Sequence, residues 1–110
     1  MERYRVTIET PARQDLRDIF KYIAETLREP QTAYRLLGRI RKAIEDLDHM
    51  PERFPLYELE PWCSRGIRRL NIENFSAFYL VTKDSLTVSV LTVIYSGRNI
   101  DKILDKAIGD

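Results

Sequence analysis

The sequence has one cysteine and one histidine in 110 residues. Cys63 therefore has no partner for an internal disulfide, and Cys63 with His49 cannot supply the four ligands that a structural zinc site draws mainly from those two residue types. No cofactor motif and no metal-ligand set is legible. Glycine and proline are scarce, at 4 and 5 residues, and no low-complexity segment interrupts the chain, so a long disordered region is not expected. No apolar run reaches the roughly 20 residues of a membrane-spanning helix. The opening "MERYRVTIET" has neither the apolar core nor the small-residue cleavage site of a secretory signal. A cytoplasmic protein without a membrane partner is the expectation. An excess of one charge is missing too: 18 Lys and Arg against 17 Asp and Glu leave a net +1, so any attraction to nucleic acid must come from local clustering.

What is present is enough apolar sequence, 44% hydrophobic and 10% aromatic, for one packed core, and the length suits a single domain over residues 1–110. Tyr4 to Ile8 alternate as a first strand. Thr10 then reads as an N-cap with Pro11 at the first helical position. Ala12, Leu16, Ile19, Phe20, Ile23 and Leu27 fall on one helical stripe, and after the break at Pro30 a second stripe runs from Ala33 to Leu47. The two predict an antiparallel helical hairpin. His49, at the end of the second helix, is expected to partner its C-terminal carbonyls.

Three prolines between Met50 and Pro61 predict an extended connector. Ile67 to Ile72, Phe75 to Thr82 and Leu86 to Tyr95 then read as three strands of an antiparallel meander. Asn99 caps a short C-terminal helix that carries Ile100, Ile103, Leu104 and Ala107. The fold class is α+β: N-terminal strand, two-helix hairpin, three-stranded antiparallel meander and short C-terminal helix. One sheet face is expected to be covered by the hairpin, with the opposite face or its rim left for function. Trp62 is expected to close the open end of the core, and Cys63 to be a bystander.

Against this balanced composition, "RGIRRLNIENFSAFYLV" (Arg65 to Val81) places three arginines within five residues, just before a buried strand. Either Arg65, Arg68 and Arg69 are a solvated face paired with Glu58, Glu60 and Glu73, or they grip an anionic target. A binding module that holds RNA through these arginines and nearby aromatics such as Phe75, Phe78 and Tyr79 is a further possibility of a different class.

The segments "DLRDIFKYIAE", "AYRLLGRIRKAIEDLDHMPERFPL", "GIRRLNIENFSAFYLV" and "VLTVIYSGRNID", in this order over nearly the whole chain, resemble the RelE/ParE superfamily of toxins from bacterial toxin–antitoxin modules. The resemblance implies a toxin neutralised by a cognate antitoxin, in a possible hetero-oligomer. Its target would be either DNA gyrase or the ribosome with its mRNA. A ribosome-dependent endoribonuclease needs a base, an acid and a clamp for the phosphorane. The resemblance assigns Arg69 and Arg98 to the clamp, and Tyr95 is the candidate for proton transfer. Two departures weigh against that branch: Ser76 stands where those RNases carry a further arginine, and the tail after Ile100 has neither tyrosine nor histidine. The gyrase-directed branch needs only a binding surface, for which Arg65, Arg68, Arg69 and Arg98 are the candidates.

Overall fold

β1 (Arg5–Ile8) runs directly into α1 (Thr10–Lys21). The helix begins at the expected cap itself, one residue early. Glu9 is the extended residue ahead of the first turn, and Thr10 and Pro11 are already helical. Pro11 tolerates this shift because the first-turn amides have no intrahelical acceptor to lose. After Lys21 the backbone widens into a π-helical turn, Tyr22–Thr26, closed by Arg28 in the left-handed region at φ 56°. The extra residue in that turn rotates the predicted stripe: Ile23 stays buried, whereas Leu27 at the far end becomes exposed. The computed structural model describes residues 2–108. Met1, Gly109 and Asp110 of the expected 1–110 domain lie outside the described residues.

α2 (Pro30–Glu45) buries Ala33, Leu36, Ile40 and Ile44 against the sheet, and a 3₁₀ turn, Asp46–Asp48, continues the stripe to Leu47. The carbonyls just beyond its C-terminus are gathered by Arg53, not by His49. The Arg53 guanidinium donates to the carbonyls of His49, Met50 (3.0 Å) and Asp46 (3.2 Å). His49 instead places Nδ1 2.9 Å from Asp48 Oδ1, a contact that is the main cause holding the partly buried Asp48 carboxyl below its ordinary range.

β2 (Arg68–Ile72), β3 (Phe75–Thr82) and β4 (Thr87–Tyr95) form the antiparallel meander, with Leu86 left in the turn at φ 50°. β1 adds to it in parallel beside β4, so the sheet is mixed with order β1-β4-β3-β2. β4 is thereby central. It also carries a bulge: Phe78 pairs with Thr92 and Tyr79 with Val90, which leaves Leu91 without a partner across the ladder.

Both sheet faces are covered, which corrects the expectation of an open one. The helices pack over Leu70, Ile72, Ala77, Tyr79, Val88, Val90 and Val93. α3 (Ile100–Ile108) and the connector cover the other side, where Tyr57, Trp62, Ile67, Phe78, Ile94 and Leu104 form a second core. The reason is visible in β3: apolar residues stand on both faces of "FSAFYLV", and a strand of that kind needs cover on both. Trp62, only 3% exposed, belongs to this second core. Asn99 caps α3 as expected, its Oδ1 accepting from the Lys102 amide at 3.2 Å.

Candidate target-binding surface

Alternation along β2 sends neighbouring arginines to different tasks. Arg68 donates from Nη1 to the carbonyls of Phe54 (2.6 Å) and Glu52 (3.1 Å), and its Nη2 lies 3.7 Å from the Glu52 carboxylate. It clasps the proline-bearing connector onto β2. The backbone continues the clasp: the Arg69 amide donates to Pro55 O at 3.1 Å, and the Tyr57 amide to Ile67 O at 2.8 Å.

Arg69 is held by one corner only. Its Nε–H is shared between Asn71 Oδ1 (2.9 Å) and Ser76 Oγ (3.0 Å), while the guanidinium sits 5.7 Å from the Tyr57 ring and 5.8 Å from the Phe78 ring. Ser76 is fully buried and is the hub of this network, donating to Asn71 Oδ1 at 2.7 Å and lying 3.3 Å from Ser96 Oγ. The two terminal nitrogens of Arg69 make no hydrogen bond among the described residues, and the side chain lines a cavity of about 450 Å³ with Phe54, Leu56, Tyr57, Glu58 and Asn71. A guanidinium oriented in this way offers a fixed, charged fork to a phosphate or a carboxylate. Tyr57 beside it has its pKa raised, chiefly by burial and then by the charge of Asp101, so it stays a protonated donor at neutral pH.

Arg65 sits elsewhere, 5.3 Å over the Trp62 ring with Nη1 3.3 Å from Ile108 O at the end of α3. Arg98 and Tyr95 line a different and larger cavity of about 820 Å³, together with Tyr22, Leu27, Phe75 and Arg35. Tyr95 is half-exposed, its ring 5.7 Å from that of Phe75, and it lies against Gly97 so closely that a Cβ there would come within 2.6 Å of the ring. Arg98 joins no ion pair and no side-chain hydrogen bond among the described residues. Arg69, Tyr95 and Arg98 therefore do not line one cavity. The Ser76 and Ser96 hydroxyls, 3.3 Å apart, lie between the two regions.

The expected acidic partners are also redistributed. Glu73, at the β2–β3 turn with φ 53°, pairs with Arg35 (3.2 Å) and Arg39 (2.9 Å) on α2. Glu60 accepts from the Ser64 hydroxyl and amide, which lowers its pKa, and Glu58 lines the cavity of Arg69. The residue that sequence reasoning missed is Ser76, taken as the place of a missing arginine. A lone serine within an apolar strand was the available signal, since a buried hydroxyl has to find a partner.

The family model for the ParE toxin of the type II toxin–antitoxin system parDE matches residues 6–100. The chain belongs to this ParE toxin family. Its fold is that of the wider RelE/ParE group. The chromosomal ParDE system of P. aeruginosa is similar at TM-score 0.69 and 21% identity, over 84% of this chain and 95% of that one. The toxin–antitoxin complex RelBE2 of Mycobacterium tuberculosis is similar at TM-score 0.61 and 21% identity, over 86% and 93%. A free mutant of the E. coli toxin RelE aligns at TM-score 0.63 and 13% identity, over 96% and 95%. At these identities the structural likeness establishes the fold alone. No curated protein matches the sequence. Within this ParE family chain, no helix among the described residues is long and apolar enough to cross a membrane.

Proposed function

We propose that this ParE family toxin arrests growth by poisoning DNA gyrase and is neutralised by a cognate antitoxin. The observation that carries the target is the company Arg69 keeps. Its Nε is fixed by Asn71 and Ser76, its terminal nitrogens are open, and the hydroxyls and amide around it do not titrate near neutral pH. Such a site grips an anion. Strand cleavage of RNA would in addition require a base and an acid at the same phosphate; Tyr95, the candidate for proton transfer, lines the other cavity, and Tyr57 and Glu58 are the ionisable groups beside Arg69. On this reading Arg69 meets a carboxylate or phosphate of the gyrase–DNA complex, with Arg68 holding the surface in shape, while Arg65 and Arg98 are cations of separate regions.

The larger cavity suits the antitoxin. Tyr22, Leu27 and Tyr95 are exposed there beside Arg98, a setting that fits the apolar side chains and one carboxylate of an amphipathic segment. The ParDE and RelBE2 neighbours are toxin–antitoxin systems, the second solved as the complex.

Controlled induction in a bacterial host carrying an SOS reporter tests the proposal. Growth arrest accompanied by SOS induction, relieved by co-expression of the adjacent gene, is expected. Arrest through halted translation with a silent reporter would contradict the gyrase reading. Normal growth at verified levels of folded protein would contradict toxicity itself.

A further inference from the structure

Asp15 is on α1, on the opposite side of the sheet from Arg69, yet its carboxylate reaches the β4 bulge. Oδ2 accepts from the Thr92 hydroxyl at 2.6 Å and from the Val93 amide at 3.0 Å. The bulge decides which way the rest of β4 faces. Before it, Val88 and Val90 point to the helices; beyond it Val93 does so, a step of three where regular alternation gives two. Leu91 and Ile94 consequently face the second core, beside Phe78 and α3. With no extra residue, alternation from Val90 would send Ile94 and Ser96 toward the helices. Ser96 would then be on the wrong face to meet Ser76.

We propose that Asp15 is a positioning residue for the Arg69 surface: by holding Thr92 and Val93 together on the helix side it stabilises the bulge that turns Ser96 toward Ser76, and through Ser76 it sets the Arg69 guanidinium. The functional half of this inference rests on the reading of Arg69 as the target contact. β1 pairs with β4 only as far as Ile8 opposite Val90, so beyond the bulge no β1 residue stands across from Val93, and a buried amide needs another acceptor. Val93, 4% exposed, has no water to turn to, and the Asp15 carboxylate is the acceptor that this amide finds. Thr92, at 2% exposure, is in the same position with its hydroxyl. One carboxylate on α1 thus meets the hydroxyl and the amide of the two residues just past the bulge, which ties the register of the central strand to the first helix.

The test compares the full-length chain with Asp15→Ala, Asp15→Asn, Thr92→Val and Arg69→Ala. Amide and Arg Nε–H resonances are followed by NMR, amide exchange is measured at Val93, and growth arrest is scored on matched levels of folded protein. The proposal expects Asp15→Ala to speed Val93 exchange at least tenfold, to shift the Ser96 amide and the Arg69 Nε–H, and to weaken arrest about as much as Arg69→Ala does. Asp15→Asn, which keeps a carbonyl acceptor, should restore much of each readout. Thr92→Val, which leaves the amide contact, should lie between. If Asp15→Ala does not fold, Thr92→Val carries the comparison, and unmoved Ser96 and Arg69 resonances in it overturn the proposal. Unmoved resonances in folded Asp15→Ala overturn it equally, whatever the growth result. Moved resonances with full arrest, when Arg69→Ala also arrests fully, leave the positioning intact and remove the target reading. Moved resonances with full arrest, when Arg69→Ala does not arrest, remove the functional link.

Discussion

Arg68 and Arg69 are adjacent in sequence and opposite in use: Arg68 places Nη1 2.6 Å from Phe54 O, inside the fold, while Arg69 places Nε 3.0 Å from Ser76 Oγ and leaves its terminal nitrogens open. A single stretch of basic sequence thus divides into a clasp and a contact surface. Arg68→Ala leaves two carbonyls of the connector without their side-chain donor and the Glu52 carboxylate with Lys83 alone, and should cost about 1–3 kcal/mol of stability. Arg69→Ala should cost about 1 kcal/mol or less, because Ser76 and Asn71 keep each other as partners, and should weaken target binding roughly ten- to hundredfold. Denaturant unfolding alongside a growth assay separates the two. Equal stability loss with full toxicity in both variants would refute the division.

Tyr79 is fully buried and donates its phenol to Pro51 O at 2.6 Å, joining β3 to the start of the connector. Burial pushes its pKa up from 10.0 to about 12. The unfolded phenol loses its proton first as pH rises, so this group's contribution is complete below pH 10 and falls away between 10 and about 12. Tyr79→Phe should lower stability by about 1–2 kcal/mol at neutral pH and should flatten most of that alkaline decline, with Tyr57 supplying a remainder of the same sign. Unfolding curves from pH 8 to 12 check both statements.

Arg53 and His49 make a second contrast. Arg53→Ala strips three carbonyls just beyond α2 of their shared side-chain donor, leaving the Met50 carbonyl the residue-53 amide, and removes a cation stacked 4.7 Å from the Phe54 ring. A loss of about 1–2 kcal/mol is expected, against about 0.5 kcal/mol or less for His49→Ala. Thermal melts of the two single variants would overturn the assignment if the order were reversed.

Much of the fold is readable in the sequence, for physical reasons that also mark where the reading stops. The stripes Ala12 to Ile23 and Ala33 to Leu47 repeat at the helical period, so both helices are legible, as is the meander from its turn residues. The π-helical turn is not, because widening by one residue leaves no compositional mark until Leu27 is found on the outside. The parallel addition of β1 to β4 depends on pairing across more than eighty residues of sequence, which no local pattern encodes. The second core was hidden for a related reason: Tyr57 and Trp62 lie in an irregular connector and follow no period. At the candidate site, Arg69 was identifiable as a cation on a rigid strand. Its separation from Arg68 was implicit in strand alternation, while the Ser76 and Ser96 hydroxyls and the bulge that brings them together belong to tertiary structure alone.

The most direct test of the central claim uses the purified chain and its Arg69→Ala variant in two parallel assays: supercoiling by DNA gyrase, and a translating ribosome with toeprinting of the message. The account predicts that the chain blocks supercoiling or leaves gyrase-linked DNA breaks, that the folded variant needs roughly ten- to hundredfold more protein for the same effect, and that the message stays intact. Discrete cuts of the message in the ribosomal A site, with gyrase unaffected, would contradict it.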